Sequence, residues 1–138
     1  MFLTSDELNS IVDLNLINKL VAKNNAIVDV VISESVEMMK SYLSKFYDTD
    51  AIFSKENNDR NLNVLKKLKD IVVYELYTRN PRAMNEVAEK KYAEAINWLE
   101  KLNTGEFADK SLPIPVVESS ETQTSIRTGS NTKYQSNF

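Results

Sequence analysis

Apolar side chains recur at intervals of three and four along most of the chain, the spacing that places them on one face of an α-helix. Only two glycines and three prolines interrupt the 138 residues. Long stretches without these residues favour helices over many short strands. We therefore predict an all-α fold: a small bundle of three long helices and short N-terminal helices, with an extended C-terminal arm.

Local signals set the predicted helix boundaries. Thr4 followed by Glu7 forms a capping box ahead of a short helix, and a second short helix covers Leu14–Ala22. Pro81 fits the first turn of a helix, because a proline there loses no hydrogen bond. The stretch Asp48–Asn61 is polar except for Ala51-Ile52-Phe53, and its Asn57-Asn58-Asp59 cluster predicts a loop. The three long helices are predicted at Asn25–Phe46, Leu62–Thr78 and Pro81–Leu102.

The apolar stripes define a predicted core. Tyr92 and Trp98 sit at helical spacing within it, so we interpret them as core residues and not as a ligand platform. Phe46 is also assigned to the core, with Tyr47 partly exposed. The stripes contain Val28, Ile32, Ser35, Met39, Leu43 and Phe46, then Leu65, Leu68, Val72 and Leu76, then Ala88, Tyr92, Ala95, Leu99 and Leu102.

The composition changes after Gly105, where we predict that the last helix stops. Of the 21 residues from Glu118 to Phe138, 14 are Ser, Thr, Asn, Gln or Gly. Such a segment buries too little apolar area to offset its ordering entropy by itself. Two prolines make the preceding Leu112–Val117 extended. We therefore predict a helical domain at 1–105 and an arm at 106–138 that partners order.

The residue types exclude several kinds of chemistry. There are no cysteines and no histidines, which removes disulfides, zinc–thiolate sites and the commonest general base and metal ligand. We recognise no phosphate loop and no nucleophile motif. We expect no enzymatic activity and no cofactor. No apolar run approaches the roughly 20 residues needed to cross a bilayer, and no signal peptide is evident, so synthesis in the cytoplasm is expected.

Two clusters of charged residues have alternative interpretations. Asp48 and Asp50 superficially resemble a calcium loop, but the glycine and distal glutamate of that motif are missing, so a solvated loop is favoured. Lys66, Lys67 and Lys69 suit either DNA contact or the solvated side of a helix. The net charge of −3 favours the second, because DNA-binding proteins usually carry a basic excess.

Several segments resemble the Mu-like phage head–tail connector family, small helical proteins from virion structural gene clusters. The most specific family pattern is Y-x-x-A-x-x-W-L-x-x-I-x-x-G, which is similar to residues 92–105. Further likenesses cover nearly the whole chain. They lie in Met1–Leu8, in Ser41–Tyr47 (family SYL-x-x-RY, here with Lys45-Phe46), in Leu65–Tyr77 (L-x-x-I-x-x-D-I-x-x-Y-x-L) and in Gly129–Asn131 (G-S-x-P-R-x-F, here without the proline and arginine).

This resemblance implies a structural adaptor at the head–tail junction of the virion. Its subunits would form a ring, expected to be dodecameric, beneath the portal protein and around the double-stranded DNA that passes through. The arm is expected to contact neighbouring copies, the portal, and tail or further connector proteins. Its candidate contact residues are Ile114, Val116, Ile126, Arg127, Gly129, Tyr134 and Phe138.

Two other functions stay open at this point. A small helical regulatory protein that binds nucleic acid is the main alternative, and a salt-dependent affinity for duplex DNA would favour it. An enzyme subunit is a third, which the absence of histidine and cysteine disfavours.

Overall fold

The computed structural model describes residues 1–116, which contain helices and no strand. The predicted all-α fold is confirmed. Short 3₁₀ turns lie at Ser5–Ser10, Asn57–Asp59 and Pro81–Ala83. The α-helices are α1 (Leu14–Leu20), α2 (Asn25–Leu43), α3 (Thr49–Phe53), α4 (Leu62–Tyr77) and α5 (Glu86–Thr104). None of the helices in this described part has the length and apolar character needed to cross a bilayer.

Helix α4 forms the centre of the bundle. It packs against α2, α5 and α1. A half-buried helix has one apolar stripe, but more than half of the α4 residues are buried, so neighbours must cover it on several sides. Its buried side chains are Val64, Leu65, Leu68, Asp70, Ile71, Val72, Val73, Leu76 and Tyr77.

Helices α2 and α5 both run opposite to α4. Asn61, the cap of α4, donates from Nδ2 to Oγ of Ser111 at 2.9 Å, and Ser111 lies shortly after the end of α5. The ring of Phe46, just beyond α2, lies beside Gly105, just beyond α5. The last turns of α2 and α5 and the first turn of α4 therefore meet at one end of the bundle.

The N-terminal segment is fixed to the bundle by an ion pair. Phe2, Leu3 and Leu8 are buried, and the Arg60 guanidinium donates to both carboxylate oxygens of Glu7 at 2.8 and 3.0 Å. The same guanidinium donates to the carbonyl of Phe2 at 2.8 Å. Glu7 also completes the predicted capping box with Thr4. One arginine thus connects the residues before α4 to the start of the chain.

Two predicted boundaries are wrong. The solvated loop predicted at Asp48 and Asp50 is instead the start of α3. The Asp48 carboxylate caps this helix by accepting from the amide of Ala51 at 3.0 Å, and Ile52 and Phe53 are buried. The last long helix does not start at Pro81. The backbone is extended at Met84 and Asn85, and the side chain of Asn85 accepts from the amide of Ala88 to begin α5.

The predicted core is confirmed apart from its edges. Phe46 is 40% exposed and Tyr47 only 6%, the reverse of the prediction, because α2 ends at Leu43 and the turn that follows rotates both rings. Tyr92 and Trp98 are partly buried and pack against the core. Tyr92 stacks on Tyr74 with ring centroids 3.9 Å apart.

Replacing Leu68 with alanine tests the central position of α4. Leu68 is fully buried, so we expect the free energy of unfolding to fall by about 2–5 kcal/mol in urea titrations, from lost burial and the cavity left behind. Leu62→Ala is the matched control on the same helix. Its side chain is 74% exposed, and a loss above about 0.5 kcal/mol there would contradict the assignment.

The Glu7–Arg60 pair predicts a pH dependence of stability. Hydrogen bonds from Arg60 lower the pKa of Glu7 from 4.5 to about 2, so the stabilisation is complete above the unfolded pKa and is lost as the pH falls towards 2. Because Glu7 is 32% exposed, we discount the effect to about 1–2 kcal/mol. Glu7→Gln should lose this at pH 7 but match the parent near pH 2.

The control for that experiment is Glu37→Gln. Glu37 is 72% exposed and pairs with Lys40 at 3.4 Å, so its removal should change the free energy of unfolding by less than about 0.5 kcal/mol. If both substitutions gave the same pH profile, Glu7 would not anchor the N-terminal segment.

Candidate partner-binding surface

The candidate site lies at the end of the bundle where α2 and α5 stop. Gly105 ends α5 in the left-handed conformation, with φ of 82°, which glycine adopts without the strain that a side chain brings. A Cβ there would lie 3.5 Å from the Phe46 ring, an ordinary contact. The backbone conformation, and not lack of space, is therefore the reason for glycine.

The chain after Gly105 turns back across the end of the bundle. Asp109 donates its amide to the hydroxyl of Tyr47 at 3.0 Å. The carbonyl of Pro113 accepts from the amide of Asp48 at 2.9 Å, and Leu112 between them is buried. Residues up to Pro113 therefore pack on the helical body. How the chain divides into domains stays a prediction, but its contacts with the body do not stop at residue 105.

This return path creates an apolar depression, here called the terminal groove. Its volume is about 670 Å³, within the range of ligand-binding clefts. Two aromatic rings stand at its rim, Phe46 at 40% and Phe107 at 44% exposure. Its main lining residues are Phe46, Tyr47, Leu102, Phe107, Leu112 and Ile114.

Two predicted contact residues lie at the groove or directly after it. Ile114 lines it and is 71% exposed, and Val116 is 84% exposed. Contiguous exposed apolar surface is typical of sites that bind other proteins. The other predicted contact residues lie outside the described residues, namely Ile126, Arg127, Gly129, Tyr134 and Phe138.

Sequence reasoning missed the aromatic rim. Phe46 continues the apolar stripe of α2, so the helical period alone assigned it to the core. Phe107 stands alone in a polar stretch two residues after the helix-stopping glycine. A hydrophobic residue just beyond a glycine cap often packs back on the last turn of the helix, and this was the available signal.

The basic cluster on α4 is largely engaged within the chain. Lys66 donates to the Asp70 carboxylate at 3.1 Å, and Lys69 donates to the hydroxyl of Ser10 at 3.0 Å. These contacts favour the interpretation of a solvated helix face over a DNA-binding patch.

The acidic pair that resembled a calcium loop has a structural role. Asp48 caps α3, and Asp50 lies in the first turn of that helix, where a negative charge is favourable. Within residues 1–116, no three His, Cys, Asp or Glu side chains are grouped to hold a metal ion.

Comparison with known proteins gives one match. A family model described as "Bacteriophage Mu, Gp36" matches residues 2–128. No curated protein and no solved structure matches the chain. The family match covers nearly the whole chain and confirms the resemblance to a Mu-like phage family that the sequence motifs suggest.

Replacing Tyr47 with phenylalanine tests how the return path is held. Loss of the hydroxyl leaves the Asp109 amide without its acceptor, so we expect about 0.5–1.5 kcal/mol lower stability. Hydrogen exchange should accelerate in residues 106–113 more than in the helices. Tyr42→Phe removes a hydroxyl from a tyrosine on α2 that is partly buried and should leave exchange in 106–113 unchanged. Equal exchange in both variants would show that this bond does not hold the segment.

Proposed function

This chain belongs to the bacteriophage Mu Gp36 family and is a phage protein, and on that premise we propose that it is a structural head-to-tail connector. Its copies would form a ring beneath the portal protein, expected to be dodecameric, through which double-stranded DNA passes. The proposed role is structural and non-catalytic, and it places the protein in the virion at the head–tail junction.

The terminal groove is the observation that best supports this proposal. A ring subunit needs two different surfaces, because head-to-tail contacts join one surface of each copy to another surface of the next. The groove supplies an apolar surface at one end of the bundle. The polar arm that begins beside it supplies a second, separate binding element. A helical body that carries both the terminal groove and the arm would suit a subunit that assembles into a ring.

The arm would make its contacts by ordering on a partner. A polar segment with a few apolar residues can cover a wide surface once bound, although part of its binding energy is spent on ordering. We propose that Ile114, Val116 and the predicted contact residues beyond them reach neighbouring copies, the portal, and tail or further connector proteins. The acidic net charge would let DNA pass without arrest.

The proposal is tested by mixing the purified protein with the portal protein of the same phage. Electron microscopy should show closed rings stacked coaxially on the portal, and the class averages give the copy number. Absence of any complex at micromolar concentrations would contradict the proposal. In the same preparation, duplex DNA binding that weakens steeply with salt would instead support the nucleic-acid-binding alternative.

Deleting Glu118–Phe138 should separate assembly from folding. The described core ends before this segment, so helicity and melting temperature should stay close to those of the full chain, while association with the portal is lost. Circular dichroism and sedimentation velocity measure the two effects. A truncated protein that unfolds would show that the segment belongs to the core.

A full-length variant serves as the matched control. Ile126→Ser, Tyr134→Ser and Phe138→Ser together keep the length of the arm and remove three of its apolar side chains. If assembly depends on those side chains, this variant should fail to bind the portal as the truncation does. Normal binding would mean that only the length or backbone of the arm matters.

A further inference from the structure

Large apolar side chains around the terminal groove are exposed to solvent. Phe46, Phe107 and Ile114 are each at least 40% exposed around one depression. Isolated exposed apolar residues are ordinary, but three around a single concavity form a docking site that gains free energy when covered. Within residues 1–116 nothing covers the groove, so an occupant would come from outside these residues.

The path of the chain favours the protein's own C-terminal segment as that occupant. Ile114 lines the groove, so the chain passes along the groove just before the described residues end at Val116. From Val116 to Tyr134 the chain spans at most about 60 Å when extended. The segment can therefore fold back on the groove without moving any helix.

Tethering gives this segment an advantage over any free partner. A short linker places a binding segment at an effective concentration on the order of millimolar. Lengthening a loop adds little closure entropy, about 0.6 kcal/mol for each doubling. Even weak affinity between segment and groove then suffices for occupancy, whereas a separate molecule needs a comparable free concentration.

The apolar residues of the segment suit the groove. Between Glu118 and Phe138 the large apolar side chains are Ile126, Tyr134 and Phe138, set among polar residues. Aromatic pairs gain about 0.5–1.5 kcal/mol beyond their area burial, and the groove offers two aromatic rings at its rim. A cleft of about 670 Å³ has room for more than one of these side chains.

We propose that, before assembly, the segment Ile126–Phe138 docks in the terminal groove of its own chain. Docking covers the apolar rim and holds back an arm that would otherwise be free to bind. It concerns the isolated subunit and goes beyond the connector function, since it requires neither a ring nor a portal. A partner that binds the arm would have to compete with the groove, which would limit premature self-association.

Disulfide trapping tests this in the full-length protein, which has no cysteine of its own. One variant carries Ala108→Cys at the groove and Gln135→Cys beside Tyr134, so that no aromatic residue is lost. The control pairs the same Gln135→Cys with Val30→Cys, which is exposed and lies about 20 Å along α2 from Leu43. Mild oxidation is followed on non-reducing gels, with intact mass.

Docking predicts an intramolecular disulfide between positions 108 and 135 that forms at least about ten-fold faster than between 30 and 135. The rate should be independent of protein concentration. Adding Tyr134→Ser and Phe138→Ser should lower it to the control rate. Circular dichroism checks that each variant keeps its helices.

Two results would overturn the proposal. Equal rates for the groove pair and the control pair would mean that the segment has no preference for the groove. Disulfide-linked dimers that form faster at higher protein concentration would assign the groove to another copy. Neither result depends on portal binding, so the connector function is judged separately by the mixing experiment.

Discussion

The burial of α4 is the constraint on which the rest of the structure depends. With more than half of its residues buried, this helix is stable only when other elements cover it on several sides. Helices α2 and α5 cover much of it, α1 packs against it as well, and the Arg60–Glu7 pair just before α4 connects it to the start of the chain. Asp70 is a buried polar residue of α4, and its Oδ1 has no hydrogen-bond partner among the described residues.

The position of the candidate surface follows from that arrangement. Because α2 and α5 both run opposite to α4, their last turns meet beside the first turn of α4. Gly105 then turns the chain back over this end. Hydrogen bonds with the Tyr47 hydroxyl and the Asp48 amide fix the returning segment. The terminal groove is therefore a product of where three helices end, and its shape depends on packing far from it along the chain.

The proposed function relies on surfaces and not on reactive groups. A helical body held by burial and by the Arg60–Glu7 ion pair could keep its shape while its groove and arm bind partners. If both proposals hold, the arm would bind the groove of its own chain before assembly and would pass to other chains within the ring. The family match supports the phage context, and the geometry suggests how an isolated subunit avoids binding too early.

The sequence by itself determined the helical class, the long helices and most of the core. Leu65, Leu68, Val72 and Leu76 are three or four residues apart. This spacing places them on one face of an α-helix, because a helix repeats every 3.6 residues. Local caps were equally readable at Thr4 and Gly105. The family resemblance also came from sequence alone, through residues 92–105. Ile114 and Val116 were predicted to be partner contacts on the arm; the structure shows that both are exposed, and their contacts stay a prediction.

Only the tertiary structure decided which residues the side chains at the helix ends contact. Phe46 fits the period of α2, yet it lies at a groove rim, since the helix ends at Leu43 and periodicity does not continue through a turn. Tyr47 is buried beside the returning chain, where the amide of Asp109, 62 positions later, donates to its hydroxyl. Such contacts join residues distant in sequence, and a one-dimensional pattern carries no information about which distant residues will meet.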